Sequence, residues 1–213
     1  IMSIVKLSNN GVKNATAFGS ITGLGDMVFI KKVTASSSGT VSFVDGSSDV
    51  VLDNTYKEYL FTYNNIHPSA DQPNFTFQGS TNSGSSYGIN ITSSVFNAYH
   101  SESDSEATVA YSNGSDLAQS TSYQRVITEV NNANDGSVSG MLHLFDPSND
   151  TFVKHFIAKS QGYSDASGVT ENPYSWNMYI GGYFNTTSAI DAIQFKFTSG
   201  NIDAGDICLY GIN

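Results

Sequence analysis

Apolar and polar residues alternate along most of the chain. The alternating runs begin near residue 27, and turns rich in Gly, Ser, Asn and Asp separate them. Side chains two residues apart lie on the same face of a β-strand, so this pattern predicts strands that are covered on one face. The predicted strands comprise the following runs: residues 27–34, 40–44, 59–63, 75–77, 89–91, 193–197 and 207–212.

The clearest single element is a β-hairpin in the second half of the chain. Two strand-like runs, residues 137–145 and 151–158, flank the short segment Asp-Pro-Ser-Asn-Asp at 146–150. Pro147 fixes its own φ at a value that suits a turn, and Asp and Asn favour turns through side-chain hydrogen bonds to the backbone. This arrangement is typical of two antiparallel strands joined by a tight connection.

Taken together, the elements predict an all-β fold with little helix. Residues 97–134 are the least regular part, with an acidic polar run at 101–106 and at most a short helical turn at 115–119. No long run carries the spacing of apolar residues that an amphipathic helix needs. We therefore predict a single antiparallel β-sandwich, jelly-roll-like, over residues 27–213. Residues 1–26 are predicted to form an N-terminal segment, either an arm or an edge strand.

Composition narrows the classes of partner. The 213 residues include 9 Lys and Arg against 19 Asp and Glu, a net charge of −10, and only 13% are charged. Nucleic acid is not an expected partner, because phosphate contacts need clusters of Lys and Arg. A membrane is not expected either, since no apolar run approaches the ~20 residues of a spanning helix and the first residues lack the apolar core of a signal peptide. The single Cys208 excludes an internal disulfide.

Four histidines are the candidates for acid–base chemistry near neutral pH: His67, His100, His143 and His155. None belongs to a zinc-binding motif. His143 and His155 lie on the two arms of the predicted hairpin, so a paired metal site is one hypothesis and outward-facing surface histidines are the other. No Gly-x-Ser-x-Gly motif is present. We predict no catalytic, cofactor-binding or metal-binding residue and no enzymatic activity.

Aspartates cluster in two predicted loops, Asp45, Asp49 and Asp53 in the first and Asp203 and Asp206 in the second. Calcium takes six to eight oxygen ligands and could use such loops. The spacing departs from that of an EF-hand, so the favoured interpretation is that these residues cap turns. No pair of carboxylates is marked out as the acid and base of a glycosidase.

One segment is rich in aromatic residues and contains the only tryptophan, at Tyr174, Trp176 and Tyr179. An exposed aromatic platform would suit a sugar ring. A strand that places alternate aromatic residues in a core or a subunit contact is the other interpretation. The sequence leaves open whether these three side chains lie in the core, at an interface or against a glycan.

Four blocks of the chain carry a resemblance to a known group. They are residues 28–46, 144–156, 183–195 and 199–212, which read in that order VFIKKVTASSSGTVSFVDG, LFDPSNDTFVKHF, YFNTTSAIDAIQF and SGNIDAGDICLYGI. Their ordered series resembles virion structural proteins of tailed bacteriophages, especially marine ones, over residues 28–212. The resemblance implies a particle component with a jelly-roll-like fold, no catalytic residue and no cofactor. It also implies location in the virion after assembly in the cytoplasm of the bacterial host.

The leading hypothesis is a non-enzymatic structural component of a phage particle, of the capsid decoration or head-fibre type, which acts through protein–protein contacts. Its expected partners are further copies of itself, as a homo-oligomer, and other virion proteins of the capsid or tail. The alternative is a tail or fibre appendage that binds a host receptor or carbohydrate, with the Tyr174–Tyr179 segment as its contact. An enzyme such as a glycan depolymerase ranks third.

Overall fold

The computed structural model describes residues 27–164 and 173–213, which form β-strands and connecting turns without a helix. The strands, in chain order, are β1 Met27–Thr34, β2 Val41–Val44, β3 Glu58–Pro68, β4 Phe75–Ser80, β5 Ile91–Ser101, β6 Ala107–Tyr111, β7 Gln124–Ile127, β8 Val138–Phe145, β9 Lys154–Ser164, β10 Tyr174–Phe184, β11 Ala192–Phe197 and β12 Ile202–Ile212. The all-β prediction is confirmed. The predicted N-terminal segment, residues 1–26, lies outside the described residues. None of the described residues belongs to a helix long and apolar enough to span a membrane.

The strands form two antiparallel sheets. The large sheet has eight strands in the order β1-β12-β3-β8-β9-β10-β5-β6, and the small sheet has four in the order β2-β11-β4-β7. Buried side chains from both sheets form one hydrophobic cluster, which makes the molecule an antiparallel β-sandwich as predicted. Because the large sheet has more strands than one sheet of an eight-stranded jelly roll, the jelly-roll assignment stays a prediction.

The centre of the core is aromatic. Phe195 of β11 is fully buried, and its ring lies 5.9 Å from that of Phe75 in a stacked arrangement and 5.6 Å from that of Phe61. Rings of Phe43, Tyr63 and Phe77 surround it at 6.2–6.5 Å. Separations of 4.5–7 Å are typical of favourable aromatic pairs, so this cluster stabilises the contact between the sheets beyond simple burial.

Strict alternation gives the large sheet two different faces. In β9 the residues from Lys154 to Ser164 alternate between buried and exposed or half-buried, with Phe156 buried and Ile157 exposed. The buried set faces the small sheet. We call the opposite side of the large sheet the outer face.

Two strands at the ends of the described chain complete one side of the large sheet. β12 pairs with β1 on one side, with Cys208 opposite Lys32, and with β3 on the other, with Cys208 opposite Thr62. The predicted hairpin is present as β8 and β9, with His143 opposite Ile157. The short helical turn predicted at 115–119 is absent, since residues 113–115 form a hydrogen-bonded turn without helix.

Candidate functional site

The outer face carries several large apolar side chains, whereas the solvent-facing side of a sheet normally carries polar ones. Phe96 of β5 is 49% exposed, Met141 of β8 is 45% exposed and Ile157 of β9 is 56% exposed. Tyr179 of β10 lies between them in the sheet. We call these four residues the outer patch. A contiguous apolar patch of this kind marks an interaction site more often than a lone exposed hydrophobic residue does.

Strand register brings the outer patch together. Tyr179 is opposite Phe96 on one side and opposite Lys159 on the other, and Lys159 is opposite Met141. The rings of Phe96 and Tyr179 are stacked, with centroids 5.0 Å apart and an interplanar angle of 9°. The Lys159 ammonium lies 5.1 Å from the centroid of the Tyr179 ring, within the range of a cation–π contact. These contacts hold the patch in a fixed arrangement.

A groove runs beside the stacked rings. Its lining includes Ser94, Met141, His143, Ile157 and Gly181, and it encloses about 470 Å³. Gly181 is one of its lining residues, and a Cβ added there would meet no atom within 4 Å. The open space follows from the missing side chain, because every neighbouring strand carries one at this level of the sheet. The groove is large enough for apolar side chains of another protein.

Two ion pairs lie on the outer face. The Glu58 Oε2 atom lies 2.8 Å from His143 Nε2, and Lys32 Nζ lies 3.2 Å from Asp206 Oδ2. The Thr34 hydroxyl also donates to Asp206, and this hydrogen bond is the main cause that lowers the pKa of the carboxyl. Charges that are already paired lose less free energy when water is removed from them.

The structure separates the four candidate histidines. His143 pairs with Glu58 across β3 and β8, and the ring of His155 lies at an angle to that of Tyr183 on β10. His67 Nδ1 is 2.6 Å from the Gly136 carbonyl oxygen, and His100 Nε2 is 3.0 Å from Asp104 Oδ1. His143 is opposite Ile157, so His143 and His155 are offset by two residues along the hairpin. Residues 27–164 and 173–213 contain no group of three or more His, Cys, Asp or Glu suited to a metal.

Two aspartates of the first predicted loop act as turn caps. Asp45 accepts a hydrogen bond from the Leu52 amide at 2.8 Å, and Asp53 accepts one from the Thr55 amide at 2.8 Å. Hydrogen bonds from Thr55 lower the pKa of Asp53. These partners agree with the favoured interpretation of the sequence.

The second predicted loop is wrong, because Asp203 and Asp206 lie in strand β12. The Ser37 hydroxyl donates to Asp203 at 2.8 Å, and the Thr34 hydroxyl donates to Asp206. These two aspartates therefore bind side chains from a distant part of the sequence and do not cap turns.

The aromatic segment is divided between the two faces of the large sheet. Tyr174 is buried, and its hydroxyl donates to Glu106 Oε2 at 3.0 Å. Trp176 is half-buried, packs against the core and stacks on Tyr99 with ring centroids 4.8 Å apart. Only Tyr179 of the three reaches the outer face. The second ring of the platform is Phe96, which the sequence did not single out because it lies immediately before the least regular part of the chain.

Comparison with known proteins adds no relative: no family model, no curated protein and no solved structure matches the chain. The outer patch and its groove are therefore interpreted from their own chemistry. They present stacked rings, aliphatic side chains and internally paired charges, and this combination suits burial against another protein surface.

Proposed function

We propose that this chain is a non-enzymatic structural subunit of a bacteriophage particle, of the capsid decoration or head-fibre type. It acts by packing against copies of itself and against neighbouring virion proteins. The observation that carries the proposal is the outer patch, which combines exposed Phe96, Met141 and Ile157 with a groove about 470 Å³ in volume. The assignment to a phage particle comes from the sequence resemblance over residues 28–212.

The size of the outer face supports a subunit contact. Strands lie about 4.8 Å apart and rise about 3.4 Å per residue. The eight strands average between nine and ten residues, so the face spans roughly 34 Å by 32 Å. That is roughly 1,100 Å², above the ~800 Å² that each partner contributes to a standard stable interface. One such face is sufficient for a specific contact between two proteins.

The overall charge sets the conditions for this contact. With a net charge of −10, two copies repel each other at long range. Salt near 0.15 M limits that repulsion to about 8 Å, so apolar contacts at short range then determine association. Assembly is therefore best measured at or above this ionic strength.

The association part of the proposal is tested with a charge placed in the outer patch. Sedimentation velocity of the full chain over a concentration series is expected to show oligomers that the Ile157→Lys variant forms at least tenfold less readily. The matched control is Ser199→Lys, which adds the same charge at an exposed turn away from the outer face. A wild-type chain that stays monomeric, or equal association of the two lysine variants, would contradict the proposal.

The particle assignment is tested by immunogold electron microscopy of purified phage that carries the gene. A decoration protein predicts label over the whole head in many copies. Label confined to a fibre tip would favour the appendage alternative, and particles without label would refute both.

The appendage alternative has one observation in its favour. The stacked Phe96 and Tyr179 rings form an exposed platform of the kind that binds sugar rings. It predicts that Phe96→Ala abolishes binding to host surface glycan while sedimentation is unchanged. The structural proposal predicts the opposite pair of results.

A further inference from the structure

β6 lies at an edge of the large sheet, and no described strand pairs with its far side. β6 pairs with β5, with Tyr99 opposite Thr108 and His100 opposite Ala107. The Ser112 amide donates to the Val95 carbonyl, and the Ser101 amide donates to the Glu106 carbonyl. In an antiparallel ladder, residues alternate between bonding the partner strand and pointing away from it.

These two hydrogen bonds fix the phase of the alternation. Even-numbered residues of β6 bond to β5, so Ala107, Val109 and Tyr111 direct their amide and carbonyl groups away from the sheet. The same three side chains are exposed on the outer face, Val109 at 75% and Tyr111 at 52%. β6 is the last strand on its side of the large sheet, and no described strand pairs with its far edge.

The two edges of the large sheet differ in how they are protected. β1, at the opposite edge, contains Lys31 and Lys32, and its register shifts between Phe29 and Lys31 as in a β-bulge. Charged residues and bulges are the usual devices that prevent strand addition. β6 has the sequence Ala-Thr-Val-Ala-Tyr, without a charge or proline, and its register with β5 is regular. Among the described strands, β6 therefore has the less protected edge of the large sheet.

We propose that two copies of this chain pair through β6, in antiparallel orientation about a two-fold axis at Val109. This inference rests on the proposed function, since it names one of the contacts through which the subunits assemble. A two-fold axis makes the two halves of the contact identical. Val109 then faces Val109 of the partner subunit, and Ala107 faces Tyr111 of the partner subunit.

Hydrogen bonding and continuity favour a second copy as the occupant. The outward groups of Ala107, Val109 and Tyr111 would form three hydrogen-bonded pairs, about six hydrogen bonds in total. The two large sheets would join into one continuous sheet, and the outer patches of both copies would lie on the same side. Such a pair presents roughly twice the apolar face for further contacts.

A cysteine scan tests the register. Residues directly opposite in a hydrogen-bonded pair have Cα atoms about 5.5 Å apart, within the 4.4–6.8 Å range of disulfides. Mild oxidation of Val109→Cys is therefore expected to give a covalent dimer. Tyr111→Cys is the matched control, because its two copies would lie four residues apart along the strands, about 14 Å. The wild-type chain controls for Cys208, which is buried in β12.

A proline variant tests whether the pairing contributes to assembly. The Val109 amide faces away from β5, so proline there removes no bond within the sheet, and prolines are tolerated on such edges. Val109→Pro should keep the far-UV circular dichroism and thermal unfolding of the wild type and lose at least tenfold in dimer affinity by sedimentation. Val109→Thr keeps the amide and should dimerise like the wild type.

The outcomes separate this inference from the proposed function. Cross-linking of Val109→Cys alone, together with loss of dimer in Val109→Pro, supports the β6 contact. A dimer affinity of Val109→Pro equal to that of the wild type, or equal cross-linking of the two cysteine variants, overturns the β6 contact and leaves the proposed function standing. A wild-type chain that is monomeric at every concentration overturns both.

Discussion

Two adjacent glycines in β10 provide a direct test of which face of the large sheet is covered. Gly182 lies on the inner face, where an added Cβ would lie 2.7 Å from Phe156 Cζ, 2.8 Å from Ser93 Cβ and 2.8 Å from the Thr92 carbonyl oxygen. Overpacking of this kind costs about 1–3 kcal/mol, and the Thr92 oxygen belongs to the backbone and cannot rotate away. Gly182→Ala is expected to lower the free energy of unfolding by that amount.

Gly181→Ala is the matched control. Its Cβ would meet nothing within 4 Å, and alanine is more favourable than glycine inside a strand by about 0.5–1 kcal/mol. The free energy of unfolding should therefore stay constant or rise by up to about 1 kcal/mol. Both variants add one methyl group, at adjacent positions of the same strand. Their free energies of unfolding are predicted to differ by roughly 1–4 kcal/mol.

Chemical denaturation, followed by tryptophan fluorescence and by circular dichroism, measures this difference at a common denaturant slope. The measurement uses a background that carries both Ile157→Lys and Val109→Pro, which removes both proposed contacts, so that association does not contribute to stability. Equal destabilisation of the two alanine variants, or a greater loss in Gly181→Ala, would refute the assignment of the inner and outer faces.

Two further predictions concern the core. Phe195→Ala should lower the free energy of unfolding by about 3–5 kcal/mol in a denaturant titration, because Phe195 is fully buried among aromatic rings. Phe152 is 67% exposed, so Phe152→Ala should change the free energy of unfolding by less than about 0.5 kcal/mol. Comparable losses in the two variants would contradict the assigned core. Burial raises the pKa of the Tyr63 phenol, whose oxygen is 2.6 Å from Ser160 Oγ, while an unfolded tyrosine ionises near pH 10. The free energy of unfolding is therefore retained below pH 10 and falls as the pH rises above 10, by about 1.4 kcal/mol at pH 11 for this group. The free energy of unfolding of Tyr63→Phe, measured between pH 10 and 11, should fall less steeply than that of the wild type.

The sequence was sufficient to predict the fold class and most of the strands. The hairpin of β8 and β9 followed from period-two alternation around a turn that contains Pro147. β7 was not predicted, because Gln124 at its start is polar and yet fully buried. Its side chain bonds the Ser93 hydroxyl and the Ser115 carbonyl. Such partners come from distant parts of the chain, so alternation alone cannot reveal the strand.

Alternation also leaves the choice of face undetermined where both faces of a strand carry similar residues. β10 has Tyr174 and Trp176 in one phase and Tyr179 in the other, so either set could have been the covered one. Lys154 shows a second limit of alternation, because this charged residue lies on the same buried face of β9 as Phe156. Its ammonium donates to the carbonyls of Phe152 and Thr186, which satisfies a charge that composition alone would assign to the surface.

The candidate site was the least predictable part. The outer patch depends on the register of four strands, which places Phe96, Tyr179, Lys159 and Met141 in one row. These residues are separated by tens of positions in the chain, and no short motif links them. Asp45 and Asp53, in contrast, were interpreted correctly as turn caps because each accepts a hydrogen bond from an amide a few residues along the chain. Asp203 and Asp206 were not, because their partners on the neighbouring part of the fold are distant in sequence.

The position of β12 has a consequence for how the molecule is made. Among the described strands it is the last to be synthesised, and it provides the hydrogen-bonding partner for β1 and for one side of β3. Until β12 has been synthesised, β1 has no described neighbour and β3 has an uncovered edge. A nascent chain interrupted before residue 202 would therefore leave β1 and one edge of β3 free to pair with another molecule.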